Sequence, residues 1–194
     1  MRYRLITLLA PVLLALLLGS GATANASSGA ASGTASCGSY ADKIPTSRNR
    51  SQVRMATLCL VNRERMKRGR VKLRRNRTLE GVAARYTKRM IAEEFFDHVS
   101  PDGSTLADRV KRTSYIRGTL KRWSLGENIA WGTGHLSTPR SIVAGWMKSS
   151  GHRDNILRRG FREAGFGVIA AVPDSSVGGR AATFTNVFGA RVHR

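Results

Sequence analysis

Four histidines, His98, His135, His152 and His193, are the side chains of this sequence best suited to proton transfer or metal ligation near neutral pH. His98 stands in Phe96-Asp97-His98-Val99-Ser100-Pro101, just before Asp102-Gly103, a stretch rich in turn formers. His152 stands in Ser150-Gly151-His152-Arg153-Asp154-Asn155-Ile156-Leu157. Glu127, in Gly126-Glu127-Asn128-Ile129-Ala130, is an acid entering an apolar, strand-like run. Two imidazoles and a carboxylate at element ends are the components of a metal site or of an acid–base pair. Their separation along the chain matches no metal-ligand motif, and hydrogen bonding of His98 and His152 to loop backbone is the competing structural reading. His135, beside Gly134, and His193, near the last residue, read as solvated. Ser100, Ser149 and Ser150 lie near the candidates, but none sits in a nucleophile-elbow context, which argues against a serine hydrolase. Trp123, Trp131 and Trp146 read as packing residues, since no basic–aromatic alternation surrounds them.

These side chains need elements to position them. Met55, Leu58, Val61 and Met66 recur at helical spacing from about Ser51, and Gly69 is a natural stop. A basic extended connector follows. Thr78 is expected to cap a second helix with the stripe Leu79, Val82, Ala83, Tyr86, Met90 and Ile91, running to about Phe95, and Tyr86 reads as core. Thr105 and Asp108 form a capping box for a short third helix, and Thr138-Pro139 opens a fourth with Val143, Trp146 and Met147 on one face. Residues 165–172 and 181–189 read as strands of a hairpin around a Gly- and Ser-rich loop, with 129–132 as a further strand. Gly165 and Gly167 inside a strand point to close backbone approach; no helix follows to make them a phosphate loop. Helices first and a hairpin last give an α+β class with an antiparallel sheet, and no internal repeat is present.

The length, 194 residues, suits one domain. Arg2 and Arg4, the apolar run 5–18 and Ala24-Asn25-Ala26 have the layout of a secretory signal peptide over 1–26; an uncleaved anchor is the alternative. The apolar run is short of the ~20 residues that span a bilayer. A Gly/Ala/Ser-rich leader is assigned to 27–50 and the folded domain to 51–194. Export to an oxidising compartment favours a bridge between Cys37 and Cys59, with two free thiols as the alternative. Thirty-three Lys and Arg against 12 Asp and Glu give a net charge of +21. Nine basic residues crowd between positions 63 and 77: Arg63, Arg65, Lys67, Arg68, Arg70, Lys72, Arg74, Arg75 and Arg77. Such a surface concentrates phosphate-rich partners, here anionic wall polymers or lipid headgroups, against the plainer reading of a solvated face. No helix-turn-helix or zinc-finger pattern suggests sequence-specific nucleic-acid recognition.

In order along 51–194, Leu58 to Arg68 with Asn62 and Arg65, Leu79 to Met90, Phe96 to Gly103, Gly126 to Ala130, Trp146 to Leu157, Gly165-Phe166-Gly167-Val168 and Thr183 to Gly189 resemble the CAP superfamily in its compact bacterial form. That superfamily comprises the cysteine-rich secretory, antigen 5 and pathogenesis-related 1 proteins. The resemblance implies a single-domain α–β–α sandwich with an open cavity lined by two His and two acids. His98, Glu127 and His152 match three of those positions; Ser149 stands at the fourth, and Tyr86 where His is frequent. Some members bind zinc or magnesium there. For this chain the implied ligand set is His98, His152 and Glu127, with divalent-metal binding weakened by the missing carboxylate.

Three functions follow as expectations: a secreted, envelope-associated protein whose His/Glu-lined cavity takes a small apolar or amphipathic ligand such as a lipid; a metal-assisted protease or nuclease using His98, Glu127 and His152; or a polyanion-binding surface protein with a vestigial cavity.

Overall fold

Val53, Ala56, Leu60 and Val61 wind along one face of the first helix, α1 (Arg50–Met66), and are buried. The computed structural model describes residues 37–193. The signal peptide assigned to 1–26, and the leader as far as 36, lie outside the described residues. Residues 37–50, read from sequence as leader, are tied down instead. Cys37 is bonded to Cys59 of α1, as expected. A 3-10 turn at Ser39–Asp42 buries Ala41, and Asp42 accepts two hydrogen bonds from Arg140. Thr46 and Asn49 bond to each other just before α1.

After α1 come β1 (Arg74–Arg75), α2 (Arg77–Ala92), α3 (Leu106–Lys111), β2 (Leu120–Thr133), α4 (Pro139–Lys148), α5 (Ser150–Leu157), β3 (Glu163–Ile169) and β4 (Ala181–His193). Asn76, not Thr78, caps α2 by accepting from the Leu79 amide. The capping box of Thr105 and Asp108 forms at α3, and Thr138 with Pro139 starts α4. The strand expected at 129–132 begins nine residues earlier and pairs along the whole of β4.

The strand order is β1-β3-β4-β2. The β3–β4 and β4–β2 pairs are antiparallel, but β1 joins β3 in parallel, so the sheet is mixed and not purely antiparallel. Side-chain alternation sorts the two faces. Ala164, Phe166, Val168, Ala182, Phe184 and Phe188 meet α1, α4 and α5. Val187, Leu125 and Ile129 meet α2 and α3. Helices on both faces give the expected α–β–α sandwich, and all described elements fall in one compact unit. Gly165 and Gly167 lie on the α2 side of β3. A Cβ there would stand 2.0 Å from the Glu80 amide nitrogen and 2.4 Å from the Ala83 carbonyl oxygen, so only glycine lets α2 press onto the sheet. Among the described residues no helix is long and apolar enough to cross a membrane.

Candidate functional site

The site forms where β2, the outer strand beside β4, is closed by groups from both helical layers. An outer strand leaves backbone carbonyls without sheet partners. Two of these accept side-chain donors: Glu127 O from Asn155 Nδ2 of α5 at 3.1 Å, and Ile129 O from Trp146 Nε1 of α4 at 3.2 Å. Asn128, on the same strand, donates to the backbone oxygen of His152 at 3.0 Å. Sequence placed His152 in a segment after α4; it lies in the separate helix α5, joined to α4 through the extended residue Ser149.

His98 arrives from the opposite layer, on the turn between α2 and α3. That turn is held from several sides. Tyr86 of α2, buried as expected, donates its hydroxyl to the Asp97 carbonyl at 2.6 Å. Asp97 and Asp102 accept from the Val99 and Ser104 amides, and Gly103 supplies the positive φ that closes the loop. Ser100 is buried and accepts a hydrogen bond from the Ser104 hydroxyl, a structural role.

Arg109 of α3 joins these parts. One terminal nitrogen donates to the His98 and Ser104 carbonyls at 3.1 and 3.2 Å, and the other to both Glu127 oxygens at 3.0 and 2.9 Å. Its guanidinium lies over the Tyr86 ring, 3.4 Å from the centroid. The only trace of this role in the sequence is the place of Arg109 beside Leu106 and Val110 on the inner stripe of a short helix. Sequence reading missed it.

His98 Nδ1 stands 2.9 Å from Glu127 Oε1. The His98 side chain is 51% exposed, whereas those of Glu127 and Arg109 are 3% and 9% exposed. The hydrogen bond to Glu127 raises the His98 pKa above its ordinary value, outweighing partial burial and the nearby Arg109 charge. His152 shifts the other way, lowered by burial and then by the charge of His98. His152 therefore senses the His98 charge, with His98 biased to the charged form and His152 to the neutral one. His135 and His193 are exposed, in keeping with solvated side chains.

The expected metal-ligand set of His98, His152 and Glu127 is not what this geometry presents. Both Glu127 oxygens already accept from a buried guanidinium. Among the described residues no three His, Cys, Asp or Glu side chains gather to hold a metal ion. The donor set therefore does not fit a zinc or magnesium centre. Ser149 is exposed and supplies no further carboxylate.

Other readings change too. Arg65, counted in the basic surface, is fully buried and donates to the carbonyls of Val71, Ile156, Arg158 and Phe161, bracing the turn after α1 against the end of α5. Burial pushes its pKa down to about 10, helped by the charges of Arg162 and Arg70. Lys67 and Arg68 pair with Glu64, Arg75 pairs with Glu80, and Arg70 donates to the Leu157 carbonyl. Arg63, Lys72, Arg74 and Arg77 form no ion pair among the described residues. Of the three Trp read as packing residues, Trp146 is buried, whereas Trp123 and Trp131 are partly exposed at 43% and 39%.

Comparison with known proteins fits this architecture. The chain is 36% identical over 110 residues to the uncharacterized protein YkwD of Bacillus subtilis, covering 57% of this chain and 40% of that one. It is 32% identical over 111 residues to the uncharacterized membrane protein YlbC of the same organism, covering 57% and 30%. It thus spans less than half of either relative. Among solved structures, an extracellular protein containing a SCP domain from Bacillus anthracis superposes with a TM-score of 0.58 at 26% identity, over 77% of this chain and 44% of that one. A cysteine-rich secretory protein from Staphylococcus aureus superposes at 0.55 with 17% identity, over 74% and 40%, a likeness of fold. Residues 58–182 match the cysteine-rich secretory protein family, CAP, and the chain belongs to it.

Proposed function

We propose that this chain is an exported binding module that takes an amphipathic ligand, an apolar tail with an acidic head, in the groove between α1 and α4. One observation carries the reading: a groove of about 300 Å³ with Leu60, Val143, Ala144 and Met147 as apolar lining, Arg63, Lys67 and Arg140 as basic lining, and Glu64, already paired with Lys67 and Arg68, as its one acid. That volume is at the low end of pockets that hold small molecules. Arg140 is engaged by Asp42 and Lys67 by Glu64, which leaves Arg63 as the cation uncommitted to an ion pair. Export is supported by the charged, apolar and small-residue layout of 1–26, by a disulfide of the kind kept in oxidising compartments, and by the extracellular B. anthracis protein of the same fold. The proposed ligand site is thus not the His/Glu cavity expected from sequence but a groove between α1 and α4. Glu127 has both oxygens engaged by Arg109, which disfavours the metal-assisted hydrolase alternative, where it would serve as a metal ligand.

The test is titration with a long-chain fatty acid and with the neutral alcohol of equal length. The acid should bind more tightly, Arg63→Ala should remove that preference, and Ala144→Trp should block both by filling the groove. Wild-type binding by Ala144→Trp would overturn the assignment. A second reading rests on Arg63, Lys72, Arg74 and Arg77, which form no ion pair among the described residues: association with anionic wall polymers or lipid headgroups. It requires retention on the envelope that salt reverses and that falls when Lys72, Arg74 and Arg77 are changed to Ala together.

A further inference from the structure

On the other side of the sheet, α2 and α3 enclose a pocket of about 180 Å³ lined by Val82, Arg85, Tyr86, Arg89, Arg109 and Arg112. Four of the six residues are arginines and none is acidic. On α2 the spacing of 82, 85, 86 and 89 puts these side chains on one face; Arg109 of α3 and Arg112, the residue just past its end, are three apart.

The commitments of the four guanidinium groups differ. Arg89 pairs with Glu93 and Asp102. Arg109 has donated every N–H but one, and the exception, Nε, is buried without a partner. Arg85 and Arg112 are exposed and form no ion pair among the described residues; the Asp108 carboxyl is held below its ordinary pKa by its hydrogen bonds with Thr105, with the charges of Lys111 and then Arg112 adding to this. Two uncommitted cations on long stems therefore flank a pocket whose floor is the buried Val82 and Tyr86 and an arginine fixed in place.

We propose that this pocket is a binding site for a phosphoryl group, gripped by Arg85 and Arg112 and seated against Arg109. The chemistry that fits is a tetrahedral, multiply charged oxyanion, because guanidinium forks match phosphate oxygens in pairs. A carboxylate offers only one charge and two oxygens to the same cations. The site lies on the helical layer opposite the α1–α4 groove and does not depend on what that groove binds. The phosphoryl group can come from a free phosphate compound or from a lipid headgroup.

The experiment uses the purified, disulfide-bonded protein at constant ionic strength set with sodium chloride. Inorganic pyrophosphate and acetate are titrated calorimetrically, and vesicles containing phosphatidylglycerol are tested by co-sedimentation. Pyrophosphate should bind saturably at one site. The double variant Arg85→Ala with Arg112→Ala should bind it at least about tenfold more weakly, the scale of one lost charge-assisted hydrogen bond. Arg74→Ala with Arg77→Ala, on the other basic segment, should bind it as wild type does. Loss of vesicle binding in the Arg85/Arg112 variant assigns the pocket to a headgroup; vesicle binding that survives while pyrophosphate binding is lost assigns it to a free phosphate compound. Equal pyrophosphate affinity in that variant, no saturable binding, or acetate binding as tight as pyrophosphate would each overturn the proposal. Both substituted arginines are exposed, so the variant is expected to fold.

Discussion

Replacing Glu127 by Gln keeps the shape of the side chain and removes its charge. Arg109 then stays nine-tenths buried without its counter-ion, and one of its contacts now faces an amide N–H in place of an oxygen. Stripping one partner from a buried ion pair costs about 3–5 kcal/mol. Arg109 keeps the His98 and Ser104 carbonyls and the face of Tyr86, which places the loss near the lower figure, about 3 kcal/mol. Urea denaturation should show this as a lower midpoint at unchanged slope. A second readout separates the site from general destabilisation. The Glu127 hydrogen bond is the largest influence raising the His98 pKa above 6.5, and Glu127's charge adds to it. Without them, burial and the Arg109 charge oppose only Asp97, so the His98 pKa should fall below 6.5. An NMR pH titration of the His98 ring reads this directly. A stability loss under about 1 kcal/mol, or a His98 pKa still above 6.5 in the variant, would refute the reasoning.

The two imidazoles should act on stability in opposite senses. The raised His98 pKa gives a contribution that is complete below its unfolded value and lost as pH rises through the folded one; the lowered His152 pKa gives a contribution present above the unfolded value and lost as pH falls through the folded one. In denaturation runs at about pH 5 and about pH 8, His98→Gln should cost more at the lower pH and His152→Gln more at the higher. Gly167→Ala should destabilise by about 3 kcal/mol or more, because its Cβ meets the Ala83 backbone of α2; a loss below about 1 kcal/mol in the same assay would show that α2 can back away. Changing Cys37 and Cys59 together to Ser should cost about 3 kcal/mol, since the bridge closes a separation of 22 residues; an unchanged midpoint would contradict the loop-entropy estimate.

What the sequence revealed was mostly local. Thr105 with Asp108, and Thr138 before Pro139, signal helix starts because each cap bonds within its own first turn. Gly165 and Gly167 could be read as close-approach sites, though not which helix approaches. The elements that escaped carry no such signal. In α5 only Ile156 is buried, so no apolar stripe marks Ser150–Leu157 as helical. The first residues of β2, Leu120 to Ser124, are largely exposed, and their strand character comes from pairing with the end of β4. Arg74–Arg75 is a strand only because β3 lies beside it. His98, Glu127 and His152 were legible as candidates. The cation that organises two of them was not, because the Arg109–Glu127 pair depends on how α3 settles against β2. Arg65 shows the same limit: inside a basic run, nothing local distinguishes a buried brace from a solvated charge.

Arg109 also links two regions that sequence gives no reason to connect. It holds Glu127 and the His98 turn from one side and lines the arginine pocket from the other. Its charge is among the influences that lower the His98 pKa. A phosphoryl group seated beside Arg109 would offset part of that charge without moving the backbone. The groups acting on His98 are Glu127 from β2, Asp97 on its own turn and Arg109 from α3, while His152 of α5 in turn senses the His98 charge. Of these, only Arg109 borders the pocket. Saturation with pyrophosphate should therefore raise the His98 pKa further, with the shift absent in the Arg85→Ala, Arg112→Ala double variant. NMR titration of the His98 ring with and without pyrophosphate, at matched ionic strength, is the measurement. An unmoved His98 pKa in protein shown by calorimetry to be saturated would mean that the pocket and the imidazole share a residue but not its charge.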